Sequence, residues 1–435
     1  MAASSWLVFA ATTHGLLIYD RSARRFRLPV TRLDGYPEGR IRRLIADPSG
    51  NSVWFDLGAG LGLIRYDVDG RIWTPGAMPS GQVDPPLTVE AALARAPLAE
   101  AMRAAILTDT RLRSHQFTAA AATPDRPEMF FGTNGLGLVR VDRQTGEWEV
   151  LTYGLITPAV GALAAAADGN GIWAAGNTRP GLGSARRGLT WVANDLSATR
   201  TAEGGGAALG FSFLYSRRLL AVGSQLWLAT EQGVLRVESS SFESRLWDVP
   251  DAICLAATQR GVWVGTRRGL SLITPDERVV DIASGPLAVT SLLPVGETLW
   301  VGTNGGLGQV LPGADAISVP PELQDRPSLR VTVYALGRLQ DTVVMTTERE
   351  LLWREPATAA WTAIPLPLTL GVPTAIAAAR GGLWIGGTRG LAEADLSGAM
   401  HVHPVPFEVP GAVRDLAADR DFLWVATDSG LMRIQ

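Results

Sequence analysis

Lysine is absent from the 435 residues, so all 39 basic side chains are arginine. That usage fits a GC-rich coding bias, and it leaves 42 acidic residues in slight excess, for a formal charge of -3 at pH 7. Phosphate backbones call for a clear basic excess, so no nucleic acid is expected as a partner. Cys254 is the one cysteine; it excludes an internal disulfide and leaves the redox compartment open. No window holds 18 uninterrupted apolar residues, so no transmembrane segment is expected. The opening stretch, Met1-Ala-Ala-Ser-Ser-Trp-Leu-Val-Phe9, carries no basic residue ahead of its apolar run. This argues against a secretory leader and for a cytoplasmic location, the alternative being periplasmic if a leader was removed before residue 1. Charged residues are scarce at 19% against 46% apolar, which excludes general disorder and implies a large buried core.

What the chain has is a repeat. Leu299-Trp-Val-Gly-Thr-Asn-Gly-Gly-Leu307, Val262-Trp-Val-Gly-Thr-Arg-Arg-Gly-Leu270 and Leu423-Trp-Val-Ala-Thr-Asp-Ser-Gly-Leu431 are its best copies, and those around Trp384 and Trp227 follow closely. Weaker copies centre on Phe9, Trp54, Phe130, Trp173 and Val344. Most intervals between these ten markers lie between 36 and 45 residues, the period of a four-stranded propeller blade. Each unit reads as an alternating inner strand, the Trp strand, a tight turn with glycine, a third strand and a fourth that often carries an aromatic. The expected fold is therefore all-β: residues 1–435 form a single propeller of about ten four-stranded blades, or nine blades with an irregular seam, closed by pairing the two termini. Unit one shows no inner strand before Phe9, and the last unit lacks a fourth strand. Glycine in the Thr-x-x-Gly turn is read as supplying left-handed geometry. Glu350 takes the glycine's place in Thr347-Glu-Arg-Glu350, so that hairpin is expected to be strained or differently shaped.

The motif resembles the two-component regulator propeller repeat, whose core is apolar-Trp-apolar-Gly-Thr, two residues, Gly-Leu, then an aspartate. Five copies match well and five loosely, covering nearly the whole chain. The resemblance implies a propeller and, by analogy, ligand sensing. The family's membrane and kinase modules are not recognisable in these residues.

Two insertions interrupt the period. Residues 85–108, within the second blade region, read as helical: Thr88 is a capping candidate, and Pro97 opens a helix reaching Leu107 with Leu98, Met102 and Ile106 at i, i+4 and i+8. That stripe either lies on the propeller or docks a partner. Residues 177–187 form an extended hairpin with Arg186 and Arg187 at its end. Leu98, Met102, Arg103, Ile106, Arg186 and Arg187 are the candidate partner contacts.

Chemistry is thin. No catalytic motif is found, and no catalytic residue, cofactor or metal ligand set is assigned. His401 and His403 share a strand face, as two metal ligands would, but no acidic or cysteine partner is near in sequence; a solvated outer strand is the expectation. Asp67-Val-Asp-Gly70 and Asp168-Gly-Asn-Gly171 read as turns rather than calcium loops. Cys254 reads as a buried thiol with no basic neighbour. The streptogramin lyases are also repeat-built propellers, but their histidine and glutamate site beside a metal finds no counterpart cluster. The expected function is that of a non-catalytic interaction or scaffold propeller. It would serve as an accessory subunit binding one or more proteins, or a large or membrane-associated assembly peripherally. The alternatives are a small-ligand sensor and a propeller lyase or hydrolase.

Overall fold

A computed structural model describes residues 1–39, 41–48, 50–58, 62–76, 86–109, 112–176, 187–203, 216–282, 285, 287–324, 329–395 and 397–435. The marker strands each pair on both sides with sequence neighbours, and every unit is an antiparallel sheet in chain order. Among the described residues ten sheets result, eight of four strands and two of three. All ten marker side chains are buried. The first sheet does have an inner strand, the short Ala2–Ala3, pairing with Val8 and Phe9. The last, Val413–Ala418, Leu423–Thr427 and Gly430–Ile434, has no fourth strand, as expected.

The sheets fall into two compact units, Met1–Gly154 with Asp195–Arg200, and Leu155–Asn194 with Thr201–Gln435. In the first, the strand Ala2–Ala3 packs against Arg43–Ala46 and Phe117–Ala122. The buried Arg21 ties its first sheet to its third through Asp125 (2.9 Å) and Glu128 (2.8 Å).

In the second unit the inner strands pack in succession: Val160–Ala165, Ser216–Val222, Ala252–Thr258, Val289–Val295, Ala335–Leu339, Pro373–Ala379 and Val413–Ala418. The seventh then packs on the first. Seven sheets thus close on themselves, with no free inner edge to protect. Closure departs from the expected pairing of the termini: Ala2–Ala3 pairs with its own sheet, and Gly430–Ile434 pairs with Leu423–Thr427. The physical reason is that Val413–Ala418 already has a neighbour in Val160–Ala165, where the Leu163 amide donates to Asp415 Oδ2 (2.9 Å).

The turn threonine proves as important as the glycine. The Thr12 hydroxyl donates to the Gly15 carbonyl (2.8 Å) and accepts from the His14 and Gly15 amides (3.1 Å each). Thr230, Thr266, Thr303 and Thr427 repeat the donation to Gly233, Gly269, Gly306 and Gly430. Positive φ is found, as expected, at Gly15, Gly233, Gly269 and Gly306, but not at Gly390 or Gly430, and close packing adds a second reason for glycine. At Gly15 (φ 155°) and Gly233 (φ 151°) a Cβ would lie 2.4 Å from the Val30 carbonyl oxygen and 2.2 Å from that of Trp247. The constraint is close approach of the returning chain, at the Val30 bridge to Leu16 and at the fourth strand through Trp247, in a region of φ/ψ space open almost only to glycine. Glu350 keeps the threonine bonds, its amide donating to Thr347 Oγ1 (3.1 Å), without a positive φ. Its hairpin is accordingly unstrained at that residue and differs in φ there from those at Gly15 and Gly233, the second of the two expected outcomes.

The arginines have a use on the faces of the sheets. Arg236 lies across the strand pair from Trp227 and stacks 5.8 Å from its ring and 5.1 Å from that of Trp247, with Arg245 on Trp247 at 4.8 Å. Arg65 covers Trp54, Arg260 covers Trp263 and Arg354 covers Trp300. A planar guanidinium stacks and still bonds at its edge, as Arg236 does to Glu277 (3.0 Å); an ammonium does this poorly.

Candidate functional site

The helical insertion is built as its sequence signals, with one break. The Thr88 side chain accepts from the Ala91 amide (3.1 Å) and starts α1 (Val89–Ala94). Pro97 opens α2 (Pro97–Ala101), and α3 (Arg103–Ile106) follows a break at Met102. The small residues Ala92, Ala96 and Ala99 let the helices settle closely on the third sheet, where Leu93, Ile106 and Leu107 join Phe117, Met129 and Phe131 in one core cluster. The break destroys the single stripe. Ile106 is 1% exposed and is withdrawn from the candidate contacts, because it turns into the core while Leu98 and Met102 stay outside.

Leu98 (45% exposed) and Met102 (40%) accompany Trp148 (37%) on the surface. Met102, Arg140, Thr145, Gly146, Glu147 and Trp148 line an open cleft of about 510 Å³. Gly146 belongs to a turn held by Asp142, which accepts from the Gln144 (2.7 Å) and Thr145 (3.0 Å) amides. Those backbone bonds, the Thr145 one foremost, hold the Asp142 carboxyl below its ordinary value. Leu98 lies over this turn; a Cβ on Gly146 would sit 3.0 Å from it. Arg140, between Glu128 (3.2 Å) and Glu149 (3.3 Å), supplies a fixed charge at the rim. Sequence reasoning missed Trp148, Arg140 and Gly146, although the fourth-strand aromatic marked Trp148 as notable. Arg103 is exposed beside Glu100 (3.8 Å). Arg187 stands half-buried before strand Gly188–Ala193 in the second unit. Arg186 and the rest of the 177–187 hairpin lie outside the described residues.

In the second unit, a cleft of about 470 Å³ is lined in part by Asp248, Arg268, Ser271 and Asp281; its Asp281 carboxylate is engaged by the Ser271 hydroxyl (2.8 Å). Deeper in the ring, burial pushes the Cys254 thiol up to about 12. A basic neighbour does exist, since Arg218 acts on it in the opposite sense, but burial dominates. The aspartate turns are turns: Asp67 accepts from the Gly70 amide (2.8 Å) and Asp168 from that of Asn170 (3.1 Å).

Fold and surface together define a propeller-repeat protein carrying a helical insertion. No protein-family model matches the chain, and no curated protein matches it. Solved structures do. The extracellular domain of the one component system protein BT4673 from B. thetaiotaomicron is 13% identical at a TM-score of 0.50, over 100% of this chain and 69% of that one. A second structure of the domain, described there as part of a hybrid two component system, gives 0.51 at 13% identity over 100% and 68%. Virginiamycin B lyase from Staphylococcus aureus gives 0.51 at 12% identity over 64% of this chain and 95% of that one. The resemblance to the two-component regulator propeller repeat is thereby matched at the level of the fold. Among the described residues no helix is long and apolar enough to cross a membrane.

Proposed function

We propose that the chain is a non-catalytic recognition propeller, an accessory subunit that binds a partner protein through the face formed by Leu98, Met102 and Trp148. The carrying observation is this apolar trio, exposed at a cleft whose lining includes Arg140 and Glu147, with Glu149 paired to Arg140. An apolar centre with a charged rim suits a partner that offers an apolar ridge. The segment that builds the trio interrupts the repeat. A sensing role is the second reading, supported by the likeness to domains named as extracellular parts of one- and two-component systems. The same likeness supports the periplasmic alternative over the cytoplasmic one.

Affinity capture from the native cell, with mass spectrometry, compares wild type with Leu98→Ser/Met102→Ser. Docking through this face predicts loss of specific partners at an unchanged melting temperature. Partners retained in full by the double variant overturn it. Ile106→Ser is the control for structural damage and should lower stability by about 2–4 kcal/mol. A metabolite that raises the melting temperature of both proteins equally would favour the sensing role.

A further inference from the structure

We propose that His401, His403 and Glu408 bind a divalent transition-metal ion of the Zn²⁺ class. His401 and His403 are two apart on the outer strand Met400–Pro404 and point to one face, with ring centroids 4.7 Å apart and planes 82° to one another. The expected obstacle was a third ligand, and the structure supplies it five residues on. The chain folds back after the strand, the Glu408 and Val409 amides both donating to the Pro404 carbonyl (3.0 and 3.3 Å). This brings Glu408 Oε2 to 2.7 Å from His403 Nδ1. One donor atom from each residue lies within 4.8 Å of the other two. Donors around a tetrahedral zinc at bond lengths of about 2.0–2.2 Å stand roughly 3.3–3.5 Å apart, so the three donors differ from that spacing by no more than about 1.5 Å.

The ring of His403 is already oriented for it. It stacks on Trp384 with centroids 5.9 Å apart and planes 19° from parallel. Its Nε2 is buried and makes no hydrogen bond among the described residues, which leaves Nδ1, on the Glu408 side, as the accessible donor. Two imidazoles and one carboxylate suit Zn²⁺, Ni²⁺ or Cu²⁺, whereas Ca²⁺ and Mg²⁺ require oxygen shells. Three protein ligands leave a fourth position for water or for a donor from another molecule. Bound metal would also pin the turn after Pro404 to the strand.

The test uses the untagged full chain, stripped with chelator and titrated with Zn²⁺ by equilibrium dialysis and calorimetry. The expected result is one equivalent per chain. Binding should be weakened at least about tenfold by His401→Ala and by Glu408→Gln, and left unchanged by His115→Ala. Zn²⁺ should raise the melting temperature of wild type and not of Glu408→Gln, an exposed substitution that leaves the fold alone. Absence of bound Zn²⁺ in wild type, or equal binding in either ligand variant, overturns the proposal.

Discussion

Arg218 and Asp415 form an ion pair that spans a whole sheet. They lie on inner strands Ser216–Val222 and Val413–Ala418, the two neighbours of Val160–Ala165 in the ring of seven. All three strands carry a register shift at matching places, which puts Ala162, Arg218 and Asp415 at equivalent positions. Alanine in the middle leaves room for the guanidinium to reach over. Asp415 Oδ2 meanwhile accepts from the Leu163 amide and Oδ1 from its neighbour Leu416 (2.9 Å each). The charge beside it holds the Arg218 guanidinium above its ordinary value. Ser291 makes the comparable link elsewhere in the ring, its hydroxyl accepting from the Leu336 amide (3.0 Å).

Breaking the pair should be costly, because Asp415 is buried, Arg218 is half-buried and the Asp415 carboxylate also holds backbone amides. Asp415→Ala is expected to lose about 3–5 kcal/mol in urea unfolding, since it also orphans the Leu163 amide. Arg218→Met combined with Asp415→Asn should cost less than the sum of the two single changes. Strict additivity would show that the pair is not coupled.

The fold was legible wherever sequence period and local stereochemistry coincide. The Trp strand, the Thr-x-x-Gly turn, the Thr88 cap and the Pro97 helix start are all encoded within a few residues, and each stands where expected. Ring closure was not legible. A blade has the same period whether it joins a ring of seven or of ten, and the decision rests on contacts such as Asp415 to Leu163, 252 residues apart. Glu408 was overlooked because strand periodicity describes only the strand, whereas a reversal after Pro404 brings the carboxylate back. Ile106 was misassigned because a heptad-like spacing assumes an unbroken helix, and Met102 breaks it.

The turn glycines give a sharp stability test. At Gly233 a side chain meets the Trp247 carbonyl, so Gly233→Val should destabilise by about 2–3 kcal/mol or more. Glu350 sits in the same hairpin position with an ordinary φ, and Glu350→Gly should cost about 0.5–1 kcal/mol through backbone entropy alone. Thermal denaturation of both variants measures the contrast. A Gly233→Val protein that melts like wild type would refute the close-approach account.

Cys254 should be inert while the protein is folded. Its thiol is raised to about 12 from an ordinary value near 8.5–9, so at pH 8 the native thiolate population is negligible. Labelling with a disulfide reagent should proceed only in denaturant. The sign of the linkage follows. Below about pH 7.5 the thiol is protonated in both folded and unfolded chains, and its contribution is complete. As pH climbs from about 8 towards 12 the unfolded chain ionises first, and stability falls. Cys254→Ala should flatten that alkaline decline; rapid labelling at pH 8 without denaturant would contradict the burial.

Closure of the ring makes its last two strands indispensable. Deleting Leu423 to Gln435 strips Val413–Ala418 of its paired strand Leu423–Thr427, takes the outer strand Gly430–Ile434 with it, and removes the fully buried Leu423, Trp424 and Val425. The inner strand left behind would keep its contact with Val160–Ala165 but expose an unpaired edge and an apolar face, a template for association. Size-exclusion chromatography with light scattering should show aggregates, and the cooperative melt should be lost. Removing Gln435 alone, whose carbonyl only receives an exposed bond from Arg380, should change stability by no more than about 0.5 kcal/mol. A truncated chain that stayed monomeric, with unchanged far-UV circular dichroism per residue, would mean that the sheets stack without closing.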